Sequence, residues 1–253
     1  QRGGPGLGTI QPSQSDYFQA TKGGGHGDYH MIVLAPATVQ EMADFVGLGF
    51  DLAFKYRNPV MMLADGVVGQ MMEKVVLPPM RPRRTDEEIA EQCPWAVTGH
   101  SEGRRPNILT TLELDSAKME KNNERFQATY RLIEQNEIRF KEYMTEDADY
   151  LLVAFGSVAR ICMKSMEEAR SRGIKVGLIR PVTLWPFPYD VISKRAARCK
   201  GILCVELNAG QMIEDVRLAV GKDIPVKHFG RMGGIVPDPD EILNGFLKAY
   251  PEA

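Results

Sequence analysis

The sequence predicts an α/β protein built on parallel sheet. Two observations carry the prediction. Short apolar runs of strand length alternate with segments whose apolar residues recur at helical spacing. This alternation occurs twice, and a stretch rich in proline and charge separates the two occurrences. Three regions are therefore expected: 1–77, 78–147 and 148–253.

The elements follow in order. Residues 1–30 carry glycines at 3, 4, 6, 8, 23, 24, 25 and 27, which is loop chemistry that lets backbone approach a ligand. Ser13 or Ser15 suits the N-cap of a short helix. Residues 31–34 read as a buried strand. Thr38, with Glu41 three residues on, reads as a capping box. The helix behind it carries Met42, Phe45, Val46, Leu48, Phe50, Leu52, Ala53 and Phe54, and stops near Asn58 and Pro59. A second buried strand over 60–64 completes a β-α-β unit. Pro78, Pro79, Pro82, Pro94 and Pro106 mark 78–111 as an extended excursion. A long polar helix is expected over 114–143, with Met119, Phe126, Tyr130, Ile133 and Phe140 as a narrow apolar stripe. Beyond it, strands at 150–155, 176–179, 202–206 and 225–229 alternate with helices at 159–172, 188–199, 210–220 and 238–250.

Composition narrows the function. The chain has 253 residues, a formal net charge of −2 and 25% charged residues, so no broad attraction to nucleic acid or anionic membrane is expected. The longest apolar stretches are strand length and span no bilayer. No basic-then-apolar leader is read at the start. Cys93, Cys162, Cys199 and Cys204 lack the tight spacing of an iron–sulfur or structural zinc site. They read as ordinary thiols in a reducing, cytoplasmic compartment. A glycine loop such as 3–8 is expected to follow a strand, and no Met opens the sequence. The first half of this domain is therefore expected upstream of residue 1.

Several residues could carry chemistry. The Arg2 guanidinium suits a carboxylate through paired hydrogen bonds. Gly3 and Gly4 expose backbone N–H groups beside it, and Thr9, Ser13 and Ser15 add hydroxyls. The competing reading is a structural arginine in a glycine loop. His26 and Asp28 could form an acid–base pair or remain solvated loop residues; with His30 nearby, the spacing matches no metal-ligand pattern. Asp65 reads as a strand-end turn. Glu206, Asn208 and Gln211 follow a strand and open a helix, and Arg231 ends the next strand, so this edge faces a ligand or a partner. The competing reading there is helix capping with an internal Glu206–Arg231 pair.

These stretches carry a family resemblance. Gln-Arg-Gly-Gly-Pro-Gly-Leu-Gly-Thr at residues 1–9, Gln-Ser-Asp at 14–16 and Gly-His-Gly-Asp at 25–28 resemble the second half of the pyrimidine-binding domain in α subunits of 2-oxoacid:ferredoxin oxidoreductases. Ile-Val-Leu-Ala-Pro at 32–36 and Pro-Val-Met-Met-Leu-Ala-Asp at 59–65 continue the match. Ala-Phe-Gly-Ser at 154–157, Arg-Pro-Val-Thr-Leu-Trp-Pro-Phe-Pro at 180–188, Val-Glu-Leu-Asn-Ala-Gly-Gln at 205–211 and Gly-Arg-Met-Gly-Gly at 230–234 resemble a transketolase C-terminal-type domain.

The resemblance implies an oxidoreductase, active only as a complex, that converts a 2-oxo acid and coenzyme A to acyl-CoA and CO₂ while reducing ferredoxin. It implies thiamine diphosphate and Mg²⁺ held mainly by a partner β subunit, a γ subunit, and a ferredoxin-like subunit carrying the 4Fe–4S clusters. Arg2 inherits the substrate carboxylate. The activating Glu and a Tyr-Pro-x-Thr-Pro stretch are expected upstream. At Asp65, Ala64 replaces the first glycine of a Gly-Asp-Gly metal turn, so no metal ligand is expected in this chain. Many relatives read Pro-Ser-Thr-Gly-Leu-Pro-Thr where this chain reads Pro-Gly-Leu-Gly-Thr, which points to 2-oxoisovalerate more than to 2-oxoglutarate. The alternatives are a non-catalytic docking subunit and the E1 β-type chain of a lipoamide-linked 2-oxo acid dehydrogenase.

Overall fold

The computed structural model describes residues 1–97, 99 and 106–253, so part of the expected excursion lies outside the described residues. The chain forms two units, one of residues 1–76 with 126–253 and one of 77–125.

In the first unit, α1 (Tyr17–Thr21), β1 (Ile32–Leu34), α2 (Val39–Tyr56), β2 (Val60–Met62) and α3 (Gly66–Gln70) follow in order. β1 and β2 pair in parallel through α2, as the β-α-β pattern predicts. Thr38 Oγ1 accepts the N–H of Glu41 at 3.1 Å and so caps α2. Glu41 does not complete the expected box. Its carboxylate instead accepts Arg180 at 2.6 and 2.7 Å, Lys141 at 2.9 Å and the Ala37 N–H at 2.8 Å. A buried bidentate arginine outcompetes a solvent-facing cap bond.

Burial alone would raise the Glu41 pKa, but the hydrogen bonds from Arg180 and Lys141 outweigh it and hold the carboxyl at about 2. The folded value lies below the unfolded one, roughly 4.3. Its stabilisation is therefore present above the unfolded value and lost as pH falls through about 2. Melting temperature should fall across that window in the wild type. Glu41→Gln should lack this part of the acid loss, and identical acid profiles would contradict the assignment.

The second unit holds α4 (Asp86–Gln92), closed by a full capping box between Thr85 and Glu88. The excursion is therefore not wholly extended. Asn107 Nδ2 bonds the carbonyls of Pro94 and Ala96 within the same unit. α5 (Ser116–Asn136) is shorter than the predicted helix. Its Tyr130 and Ile133 are buried in the first unit, but Phe140 belongs to β3 (Phe140–Tyr143). An antiparallel partner supplies backbone hydrogen bonds there, and tertiary pairing overrides a polar helical pattern.

The remaining elements are β4 (Tyr150–Val153), α6 (Gly156–Ser171), β5 (Val176–Pro181), β6 (Thr183–Trp185), α7 (Tyr189–Ala196), β7 (Gly201–Glu206), α8 (Met212–Val220), β8 (Val226–Gly230) and α9 (Pro239–Ala249). They build a five-stranded sheet in the order β3-β5-β4-β7-β8, parallel except for β3. Alternate side chains face opposite sides. Leu151, Val153, Ile202 and Cys204 enter one core with Ile192, Ile213 and Val216. Tyr150, Leu152, Leu203 and Val205 enter the other with Val158, Met166, Ile242 and Phe246.

β6 was not foreseen. It pairs antiparallel with β1, giving a second sheet in the order β2-β1-β6. Pro181 and Pro186 flank this short segment and make it read as loop. Through it, residues 1–76 and 148–253 share a sheet.

Candidate functional site

The candidate site lies at the C-terminal ends of β4 and β7, where an open parallel sheet presents its loops. The 13–16 segment lies across these ends. Gln14 N donates to the Leu207 carbonyl at 3.0 Å, and Asn208 Nδ2 donates to the Gln14 carbonyl at 2.8 Å. Gln14 itself is fully buried. Its Nε2 donates to the Phe155 carbonyl at 2.9 Å and reaches Asp65 Oδ2 at 3.5 Å, while its Oε1 accepts the Leu207 N–H at 3.2 Å. Gln211 Nε2 donates to the Ser15 carbonyl at 2.8 Å, and its Oε1 accepts the Phe18 N–H at 2.9 Å.

Two buried carboxylates set the ends of the helices. Glu206 accepts the N–H groups of Gln211, Met212 and Ile213 at 3.2, 2.7 and 3.1 Å, with Asn208 Nδ2 at 3.0 Å. An anion at a helix N-terminus is favourable because the free N–H groups and the helix dipole both meet it. Glu206 is thus an internal cap rather than a ligand contact. The capping half of the competing reading holds. The pairing half does not: Arg231 turns to Glu241 on α9, because Glu206 is enclosed by N–H donors.

Asp65 does the same for two helices at once. Its Oδ1 accepts the N–H groups of Val67 and Val68 at 3.0 and 3.3 Å, and its Oδ2 accepts the Ser157 N–H and hydroxyl at 3.1 and 2.8 Å. Gly156, at φ 60°, is required beside it, since a Cβ there would stand 2.9 Å from both Asp65 Oδ2 and Gln14 Nε2.

On the open side of the 13–16 segment lies a cleft of about 410 Å³. Gly4, Pro5, Ser13, Ser15, Asn208 and Met232 are among its walls. Ser13 Oγ and Ser15 Oγ lie 2.7 Å apart, and Ser13 Oγ also donates to the Leu207 carbonyl at 3.1 Å. Asn208 and Gln211 spend their amides internally, which leaves the serine pair and Asp16 as polar features of the wall.

Arg2 stands at the root of the adjoining lobe. It bridges Pro12, Gly3 N donates to the Gln11 carbonyl at 2.9 Å, and Thr9 N donates to the Gly3 carbonyl at 2.8 Å. Arg2 Nη1 donates to the Leu7 carbonyl and, at 3.1 Å, to the Thr9 carbonyl. Among the described residues, Nε and Nη2 have no protein acceptor. Thr9 Oγ1 reaches the carbonyl of Gly233, itself part of the cleft wall, at 3.2 Å.

The structure thus brings Gly4, Ser13, Asn208 and Gln211 to the cleft, and sets Arg2, Gly3 and Thr9 in the lobe at its side. His26 and Asp28 are exposed in the 23–28 loop and do not line it. Gln127 Nε2 donates to the Asp28 carbonyl and Gly24 N donates to the Tyr29 hydroxyl, and these bonds hold the loop. Sequence reasoning passed over Gln14 and gave Asp65 no site role. A strand-ending aspartate before Gly66 was a readable cap signal. A lone glutamine between two serines carries none.

The comparisons agree with this architecture. Residues 1–142 match the family model described as pyruvate flavodoxin/ferredoxin oxidoreductase, thiamine diphosphate-binding, and residues 148–242 match pyruvate:ferredoxin oxidoreductase core domain II. The class is therefore that of thiamine-diphosphate-binding oxidoreductase domains. The chain is 46% identical to ketoisovalerate oxidoreductase subunit VorB of Methanothermobacter marburgensis, covering all of this chain and 70% of that relative. It is 33% identical to 2-oxoglutarate synthase subunit KorA of Methanothermobacter thermautotrophicus, covering 98% of this chain and 71% of that relative. It belongs to the 2-oxoacid:ferredoxin oxidoreductase family. A solved 2-oxoglutarate:ferredoxin oxidoreductase from Magnetococcus marinus shares the fold, with a TM-score of 0.76 at 23% identity over 98% of this chain and 47% of that one. The family read from the motifs is the family found.

Proposed function

We propose that this chain is the substrate-facing α subunit of a complex that oxidatively decarboxylates a branched 2-oxo acid of the 2-oxoisovalerate type. The products are acyl-CoA, CO₂ and reduced ferredoxin. One observation carries the reading: the Arg2 lobe, with guanidinium donors to spare, is fastened beside a cleft at the loop edge of the sheet. Such a fork matches a carboxylate. Pro5, Leu207 and Met232 make part of the wall apolar, and among the described residues lining it Asp16 is charged while no Lys or Arg is present. That suits a substrate with one carboxylate and an apolar tail better than 2-oxoglutarate, whose second carboxylate needs a cation.

Thiamine diphosphate, when bound, supplies the electron sink for decarboxylation, and the protein supplies position and electrostatics. The Asp65 carboxylate is spent on two helix ends, which supports placing the diphosphate and Mg²⁺ on a partner β subunit. The γ subunit and a ferredoxin-like subunit with the 4Fe–4S clusters complete the complex. All four thiols are free and buried, in keeping with a cytoplasmic setting.

A second reading, a docking subunit only, is favoured by the apolar groove of Phe45, Val46, Gly49, Phe50, Val60 and Met62. Reconstitution decides between them. The complex with this chain should reduce ferredoxin with dependence on both 2-oxo acid and coenzyme A, and Arg2 variants should change substrate kinetics. Turnover indifferent to every cleft and lobe substitution would favour docking; no turnover with any 2-oxo acid would overturn both.

A further inference from the structure

Gln14 does not line the cleft, yet its neighbours Ser13 and Ser15 do. Its backbone and side chain tie one extended segment to three places: the end of β4 at Phe155, the turn after β7 at Leu207 and Asn208, and the helix-capping Asp65. Beyond Ser13, one residue before it, Gln11 and Pro12 form the return arm of the lobe whose outward arm is Arg2 and Gly3. The lobe closes on itself, and the buried pair Ser13 and Gln14 anchors it after the return arm, Ser13 through Leu207 and Gln14 through Phe155, Leu207, Asn208 and Asp65.

Charge explains why an amide stands here. The position needs a donor toward the Phe155 carbonyl and Asp65, and an acceptor toward the Leu207 N–H, with no net charge beside a buried carboxylate. An amide meets all three demands at once. The loop edge that a parallel sheet presents to ligands is here filled by the chain's own 13–16 segment. The domain from Tyr150 onward thus grips the segment that shapes the cleft.

We infer that Gln14 is a positioning residue: through it the domain containing β4 and β7 fixes the Arg2 lobe and the Ser13–Ser15 wall for 2-oxo acid binding. The inference rests on the cleft being the substrate wall, and its test separates the two.

In the assembled complex, Gln14→Leu removes donor and acceptor, and Gln14→Met keeps length and flexibility should the leucine variant misfold. Either should raise the KM for 2-oxoisovalerate by about tenfold, with kcat within about twofold, because ground-state placement is lost and the chemistry is untouched. Hydrogen exchange of residues 2–12 should quicken, while exchange in β4 and β7 stays as in the wild type. A merely structural role would lower melting temperature without this KM-against-kcat split. Folded variants with unchanged KM and unchanged exchange at 2–12 would overturn the inference. A wild-type complex inactive on every 2-oxo acid would overturn the functional reading, and the exchange measurement would still decide whether Gln14 holds the lobe.

Discussion

Arg2→Ala in the assembled complex should lower kcat/KM for the 2-oxo acid by about two to three orders of magnitude, the range for a charged hydrogen-bonded pair that the partner subunits enclose, since Arg2 is exposed in this chain alone. The guanidinium Nη1 is committed to the carbonyls of Leu7 and Thr9, which fixes the plane of the fork. Among the described residues Nε and Nη2 have no protein acceptor, so under the proposed function they would take a carboxylate side-on, and a fork already oriented loses little entropy on binding. Arg2→Lys should recover only part of the loss, because an ammonium cannot hold both loop carbonyls and still present paired donors. Steady-state kinetics on both variants check this. Alanine and wild type with equal kcat/KM would remove Arg2 from the site.

Asp65→Ala should be the most damaging change to stability. The carboxylate receives five donors, two from α3, two from Ser157 at the start of α6 and one from Gln14 Nε2. Truncation leaves buried N–H groups without an acceptor. The expected cost is about 3–5 kcal/mol, which for a chain of this length is on the order of 10 °C in melting temperature. Asp65→Asn should cost less, since the amide oxygen still accepts from one helix. Thermal melting of the two variants measures the difference. A shift of a degree or two for alanine would show that the two caps contribute little.

What was legible in the sequence and what was not divides along contact range. The unit from Ile32 to Met62 was readable because strand-length apolar runs and a Thr38-capped amphipathic helix are local signals. The same holds for β4, β5, β7 and β8 and the helices between them. β3 and β6 were not, because each is a few residues long and exists through an antiparallel partner distant in sequence: Phe140 to Tyr143 on β5, Thr183 to Trp185 on β1. The site divides in the same way. Asn208 and Gln211 stood out because they open a helix after a strand. Gln14 and Asp65 acquire their roles from Phe155, Ser157 and Leu207, far along the chain. Glu41 and Arg231 were each read with a plausible neighbour and found a different one, Arg180 in the interior and the partly exposed Glu241 on α9, because tertiary geometry offers charges partners that sequence spacing does not show.

The direct test of the account is the crystal structure of the assembled complex with 2-oxoisovalerate bound. The substrate carboxylate should lie within hydrogen-bonding distance of Arg2 Nε or Nη2, with its branched tail against Pro5, Leu207 or Met232 and Gln14 still joined to Phe155 and Leu207. A substrate seated elsewhere in the complex, with Arg2 bonded to the carbonyls of Leu7 and Thr9 alone, would contradict it.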